Sequence, residues 1–239
     1  MKILVLMAGD SSEFYKEGFK YPKYLVEING KPLVEHVINQ LAGTQGDFIF
    51  IVNEDDARRW HLDEVIRLLR PEAQVIVVEG QTKGAACTAL YAIDSINNGE
   101  ELLIVNGDQI LDIDWKKAFT VLTKNDGGTI IFEAVHPRWS YVSLDENSKI
   151  VQAEEKRPIS KNATAGVYYF NKGQYFVEGA ASMIKKGAHV GDLYYICPVF
   201  NELILKNKIL GIYSTERQKY HSLANVEDVR EYENYLRKQ

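Results

Sequence analysis

The chain has 239 residues, 46% of them hydrophobic, which is enough for a substantial core in one large α/β domain or two small ones. Its 28 basic and 33 acidic residues leave a formal charge of −5, which excludes the global basic field that would gather nucleic acid or an anionic membrane. Two cysteines, Cys87 and Cys197, lack the neighbours of a zinc site or disulfide framework, and no apolar run approaches a membrane span, so a cytoplasmic protein with small-molecule partners is expected.

An apolar strand over residues 3–7, ending at Met7, breaks into Ala8-Gly9-Asp10-Ser11-Ser12. Small residues with free backbone N–H groups after a buried strand can cradle a nucleotide's phosphates, and Lys23 returns soon afterwards to meet them. A Gly-containing turn after a strand is also common in α/β proteins, so the turn alone does not settle its use. A helix is predicted over residues 32–41, with Pro32 in its first turn. Val- and Ile-rich strands follow at 47–52, 74–78, 102–105 and 128–134, alternating with helices at 54–69, 84–96 and 115–123; Cys87 falls in the second of these helices. This alternation predicts an α/β, Rossmann-like domain with a mainly parallel central sheet flanked by helices.

Beyond residue 134 the pattern changes to short antiparallel strands at 140–144, 150–153 and 165–170, separated by turn residues such as Asp145-Glu-Asn-Ser148. Helices at 172–186, 192–205 (containing Cys197) and 226–237 close the chain around a strand at 209–213. One domain over 1–239 is expected, with the candidate phosphate cradle in its half at 1–134 and the short antiparallel strands in a smaller half at 135–239.

Asn106-Gly107-Asp108-Gln109 follows directly on the strand at 102–105, which puts Asp108 at the carboxyl end of a parallel strand, where open α/β sheets bind ligands. Magnesium suits such a residue, because it takes few protein carboxylates and completes its shell with water and phosphate oxygens. A Gly-Asp turn or helix cap is the plainer alternative.

Three linked stretches, the Ala8-Gly9-Asp10-Ser11-Ser12-Glu13-Phe14 turn, Tyr21-Pro22-Lys23 and Gly30-Lys31-Pro32-Leu33, together resemble the signature of the nucleotidyltransferases (pyrophosphorylases) with a GT-A-like fold. The resemblance runs over nearly the whole chain and is nearest to the capsule-biosynthesis branch. It implies that Asp108 binds Mg²⁺ and that Met7, Ala8, Gly9, Asp10, Ser11, Ser12, Lys23, Asn106 and Gly107 surround a nucleoside triphosphate. Glu79-Gly80-Gln81-Thr82-Lys83-Gly84-Ala85 looks like the base-recognition loop, with Glu79 and Gln81 able to read a base edge and Gly84 and Ala85 under the ring. Glu154-Glu155-Lys156-Arg157-Pro158 resembles the acceptor motif, implying that Glu155 takes acceptor hydroxyls and Lys156 its phosphate. Gly166, in the next motif, would let the backbone approach, while Arg138 and Tyr141 lie at the mouth of the same region and Asp192 opens a helix bordering the acceptor. Lys23, Asp108 and Lys156 are the expected catalytic residues.

Three positions depart from the family pattern. Ser11 stands for its second glycine, Glu13 for the arginine that supports the β- and γ-phosphates, and Ser222 for the carboxylate that usually completes the metal site, with Asn225 as a candidate neutral ligand. A carboxylate at 13 facing a triphosphate would repel it, so Glu13 is expected either to point away or to mark altered chemistry. The expected activity is Mg²⁺-dependent transfer of a nucleoside monophosphate to a small phosphorylated acceptor, with release of pyrophosphate, for surface-polysaccharide precursors. With the chain expected to end soon after its catalytic domain, the resemblance to compact relatives leans the base toward a pyrimidine, CTP among them. A nucleotide-sugar glycosyltransferase of the same fold would want an Asp-x-Asp pair, and Asp112 and Asp114 lie beyond the expected place. Glu13 and Ser222 also suit an inactive nucleotide-binding relative.

Overall fold

The computed structural model describes residues 1–238. Strand β1 (Lys2–Met7) runs through its centre, with Ile3, Val5 and Met7 buried in one core layer and Leu4 and Leu6 in the other. A strand apolar on both faces needs cover on both, which explains its continuous apolar run. The chain continues through α1 (Ser12–Lys16), β2 (Glu27–Ile28), β3 (Lys31–Pro32), α2 (Leu33–Gln40), β4 (Asp47–Asn53), α3 (Glu54–Trp60), α4 (Leu62–Leu69), β5 (Gln74–Val78), α5 (Ala85–Ala89), α6 (Ile93–Ile96) and β6 (Leu102–Asn106). The second half adds β7 (Gln109–Leu111), α7 (Trp115–Leu122), β8 (Gly127–Glu133), β9 (Ser140–Leu144), β10 (Ile150–Glu155) and β11 (Asn162–Phe170). It closes with α8 (Gly173–Lys185), α9 (Val199–Ile204), β12 (Leu210–Ser214), β13 (Tyr220–Ser222) and α10 (Val226–Leu236).

Strands β5, β4, β1 and β6 lie side by side and parallel, giving the expected α/β architecture with flanking helices. The chain leaves β1 toward β4 and β5, then returns to place β6 on the other side of β1. This reversal opens a crevice at the carboxyl ends of β1 and β6, where open α/β sheets bind ligands. The sheet then extends through antiparallel β11, β9 and β10, while β8 pairs with β11 and with β12. One nine-stranded sheet therefore carries both halves of the chain.

Three helices differ from expectation. The helix over 54–69 is two, because His61 takes a left-handed φ of 54° between α3 and α4. The buried residues Ala57 and Leu62 are five positions apart, a spacing that an unbroken helix would turn onto different faces. The helix over 84–96 is α5, a single 3₁₀ turn and α6. The helix over 192–205 shrinks to α9, because Pro198 lacks the N–H an interior position needs and biases the preceding residue away from helical geometry. Cys197 thus lies in the turn before α9, fully buried, and residues 190–198 run as an irregular segment across the site.

Candidate functional site

The crevice opens into a cavity of about 960 Å³, large enough for a nucleotide and a second small ligand. Of the residues singled out in the sequence, Ala8, Gly9, Asp10, Ser11, Gln81, Gly84, Ala85, Asn106, Asp108, Arg138, Glu155, Lys156 and Gly166 line it. The turn after β1 and the turn after β6 form its floor, and Gln81 to Ala85, Arg138, Glu155 and Lys156 contribute to its walls.

Lys23 sits beneath this floor, 4% exposed, and its Nζ donates to Asp108 Oδ2 at 2.7 Å. Burial alone would lower the ammonium's pKa, but the neighbouring Asp108 carboxylate and Tyr24 outweigh it and hold the group above its ordinary value. Ser11 Oγ accepts the backbone N–H of Lys23 at 3.1 Å, which ties the turn after β1 to the lysine. Ser11 thus gains a buried anchoring role that a glycine could not perform. Burial pushes the Tyr24 phenol up to about 12, keeping it neutral beside Gly9 and Lys23. The turn after β1, the lysine at 23 and the carboxylate at 108 meet in one place.

The residues expected to meet an acceptor come from the antiparallel strands and their turns. Glu155, at the end of β10, is buried and accepts from the Ser140 hydroxyl; burial raises its pKa, with Ser140 and Lys156 opposing. Lys156 follows it with its Nζ donating to Tyr195 Oη at 2.9 Å. The guanidinium of Arg138 lies over the Trp139 ring at 4.2 Å, at the cavity's rim. Gly166 has a φ of 62°, and a Cβ there would lie 2.3 Å from Gln109 Oε1, so this position needs glycine for close packing under the floor.

Several expected residues have other work. Met7 is fully buried in the core, and Gly107 donates its N–H to Leu6 O at 2.9 Å, so both support the floor from behind. The backbone N–H of Ser12 is occupied by Asp10 Oδ1 at 3.0 Å, and the Ser12 hydroxyl also donates to Asp10, so this N–H is not part of an open cradle. The same bonds hold Asp10 below the usual carboxylate range. Glu79 is exposed and does not line the cavity. Tyr141 is buried with its hydroxyl on His136 O, a structural role. Asp192 opens no helix; its side chain is 97% exposed, 3.8 Å from His189. Asn225 Oδ1 caps α10 by accepting from Asp228 N at 2.9 Å, and its amide donates to the Asp228 carboxylate at 3.0 Å. Glu13 is exposed on α1 and does not line the cavity.

The lining residues of α3 gave no sequence signal. Asp56, Arg59 and Trp60 come from α3, which β4 delivers beside the turn after β1. Burial raises Asp56 to about 6, Asn53 opposing. Trp139 and Tyr220 pack edge-on against each other and line the cavity. Ser222 lines the cavity, but its hydroxyl donates to the Asp228 carboxylate. Asp112 accepts from the Tyr235 hydroxyl at 3.2 Å and Asp114 caps α7, so neither joins Asp108 as a paired carboxylate.

The charge inventory bears on a metal. Six carboxylates (Asp10, Glu54, Asp55, Asp56, Asp108 and Glu155) line the cavity against Arg59, Arg138, Lys156 and the Lys23 beneath it. A polyphosphate entering this balance needs further positive charge. Among the described residues no three His, Cys, Asp or Glu are gathered to hold an ion alone. A single hard carboxylate, Asp108, beside room for phosphate oxygens and water fits Mg²⁺ arriving with its nucleotide. No helix among the described residues is long and apolar enough to cross a membrane.

The sequence pattern of the nucleotidyl transferase family matches residues 2–195. The bifunctional protein GlmU of Methanocaldococcus jannaschii is 23% identical over 216 residues, covering 89% of this chain and 49% of that protein. A putative mannose-1-phosphate guanyltransferase of Sulfolobus acidocaldarius is 27% identical over 173 residues, 71% of this chain and 48% of that one. The chain thus spans about half the length of these curated relatives. A nucleoside-diphosphate-sugar pyrophosphorylase from Vibrio cholerae superposes with a TM-score of 0.84 at 24% identity, over 97% of this chain and 99% of that one. The inositol-1-phosphate CTP transferase of T. maritima gives 0.73 at 15%, over 99% and 95%. At these identities the solved structures show the shared fold.

Proposed function

The chain belongs to the nucleotidyl transferase family, and from that premise we propose that it transfers a nucleoside monophosphate from a triphosphate to a small phosphorylated acceptor, releasing pyrophosphate. The observation that carries this reading is the meeting of the turn after β1, Lys23 and Asp108 at the crevice between β1 and β6. In the reaction, an oxygen of the acceptor phosphate attacks the α-phosphorus, a new P–O bond forms, and the bond to the β-phosphate oxygen breaks in line. Backbone N–H groups of the Ala8–Ser11 turn orient the phosphates, and Lys23 faces the charge that develops as pyrophosphate leaves. Gln81, Gly84 and Ala85 hold the base end, while Lys156 and Arg138 hold the acceptor's phosphate and Glu155 accepts from its hydroxyls. Asp108 would hold a Mg²⁺ ion, which would supply further charge neutralisation.

The preferred base in this reading is a pyrimidine, in keeping with the CTP transferase among the structural neighbours, and the product feeds surface-polysaccharide synthesis. The guanyltransferase and GlmU relatives make the other bases necessary arms of the test. The test incubates the protein with Mg²⁺, each of CTP, UTP, dTTP, GTP and ATP, and hexose, polyol and amino-alcohol phosphates, with pyrophosphate detected. Release with one pair supports the proposal. Tight triphosphate binding without release for any pair would favour an inactive relative, and release of a nucleoside diphosphate from a nucleotide-sugar would favour a glycosyltransferase.

A further inference from the structure

One short segment touches both the start of α5 and Lys156. Tyr194 lies backbone to backbone against the start of α5: its N–H donates to Lys83 O at 2.8 Å, and its carbonyl accepts from Ala86 N at 3.0 Å. Gly84 permits this approach, with a φ of 100°; a Cβ there would lie 2.5 Å from the Tyr194 carbonyl oxygen. The next residue, Tyr195, also lines the cavity; its hydroxyl accepts from Lys156 Nζ at 2.9 Å and its ring centroid lies 5.1 Å from that ammonium.

Lys156 itself is held in an uncommon backbone state. Its φ is 55°, in the left-handed region that L-residues seldom adopt, and its N–H donates to Trp139 O at 3.0 Å. The Cα–Cβ bond therefore leaves the end of β10 in a set direction, and Tyr195 receives the tip of the exposed side chain. The phenol's hydrogen bond also raises the ammonium above its ordinary pKa. A cation fixed at both its backbone and its tip is pre-organised for an anion, with less conformational freedom to lose when one binds.

We propose that Tyr195 is a positioning residue for the acceptor: it sets where the Lys156 ammonium stands, and the Tyr194 backbone bonds hold that place relative to the nucleotide end. The assignment rests on the nucleotidyl-transfer reading. It makes residues 193–196 a strut between the two substrates, with Gly84 as the contact point. The hydroxyl acts through Lys156, so its loss falls on the acceptor and spares the triphosphate.

Tyr195→Phe keeps the ring and removes the hydroxyl, and two measurements on the whole chain test it. In ¹⁵N NMR of lysine ammonium groups, with Lys156→Gln assigning the signal, Tyr195→Phe lowers the pKa of Lys156, and inorganic phosphate perturbs that signal at least about fivefold more weakly than in the wild type. In steady-state kinetics with the active pair, Tyr195→Phe raises the acceptor KM about tenfold and leaves the triphosphate KM within about twofold. An unchanged Lys156 titration and phosphate response, or an equal rise in both KM values, would overturn the proposal. Should no triphosphate and acceptor pair release pyrophosphate, the reaction reading fails by itself, and the NMR titration still decides whether Tyr195 positions Lys156 for an anion.

Discussion

The Lys23–Asp108 pair can be tested as an energetic unit before any substrate is known. Its two charges lie 2.7 Å apart, with the lysine side chain 5% and the aspartate 26% exposed. At an effective dielectric of about 20 their gross attraction is about 6 kcal/mol. Water reaching Asp108 screens part of this, and each charge has lost hydration on folding, which leaves a coupling of about 2–3 kcal/mol. Lys23→Met removes the cation while keeping most of the buried volume, and strands a partly buried carboxylate, so it should destabilise by about 3 kcal/mol. Asp108→Asn leaves a neutral acceptor for the ammonium and should cost less. Urea unfolding at pH 7 of the wild type, both single variants and the double variant yields the coupling directly. A double variant nearly as stable as Lys23→Met alone is expected. A coupling below about 0.5 kcal/mol would refute the reasoning, because the pair would then be an incidental contact.

Three further outcomes follow from the geometry. Burial holds Asp56 at about 6 against an ordinary 3.8, so the native state binds this proton more tightly than the unfolded chain; the group's effect is therefore neutral below about pH 4 and destabilising as pH rises through 6. Asp56→Asn should stabilise the protein by about 1–3 kcal/mol at pH 7 and by almost nothing near pH 4, as read by urea unfolding at the two pH values. Gly84→Ala should lower the melting temperature by several degrees, about 2–4 kcal/mol, because its Cβ would meet the Tyr194 backbone and its φ is one that L-residues resist. Chelation of divalent ions should abolish pyrophosphate release while leaving the melting temperature of the free protein unchanged, since among the described residues no cluster of three ligands is gathered to hold an ion.

The parallel core was legible because its strands are buried on both faces and so read as continuous Val- and Ile-rich runs between amphipathic helices. The same logic located Asp108, since a carboxylate following such a strand falls at the ligand-binding end of the sheet. What escaped notice was decided by tertiary contacts or by single residues. His61 breaks a helix without glycine or proline to announce it, whereas Pro198 was a visible signal, and weighing it would have predicted the short α9. Asp56, Arg59 and Trp60 join the site because β4 places α3 beside the turn after β1, a neighbourhood with no trace in local pattern. Tyr195 was hidden inside an expected helix. Conversely, Ser12 and Asn225 carry suitable atoms for a phosphate and a metal, but local hydrogen bonds to Asp10 and Asp228 claim them.

A crystal structure of the protein with Mg²⁺ and a non-hydrolysable analogue of the preferred triphosphate tests the central claim most directly. The account predicts phosphates lying against the backbone of residues 8–11, with Lys23 Nζ and an Asp108-bound ion within contact of the phosphate oxygens. Phosphates seated elsewhere in the cavity, with the Lys23–Asp108 pair undisturbed and touching neither ion nor ligand, would contradict it.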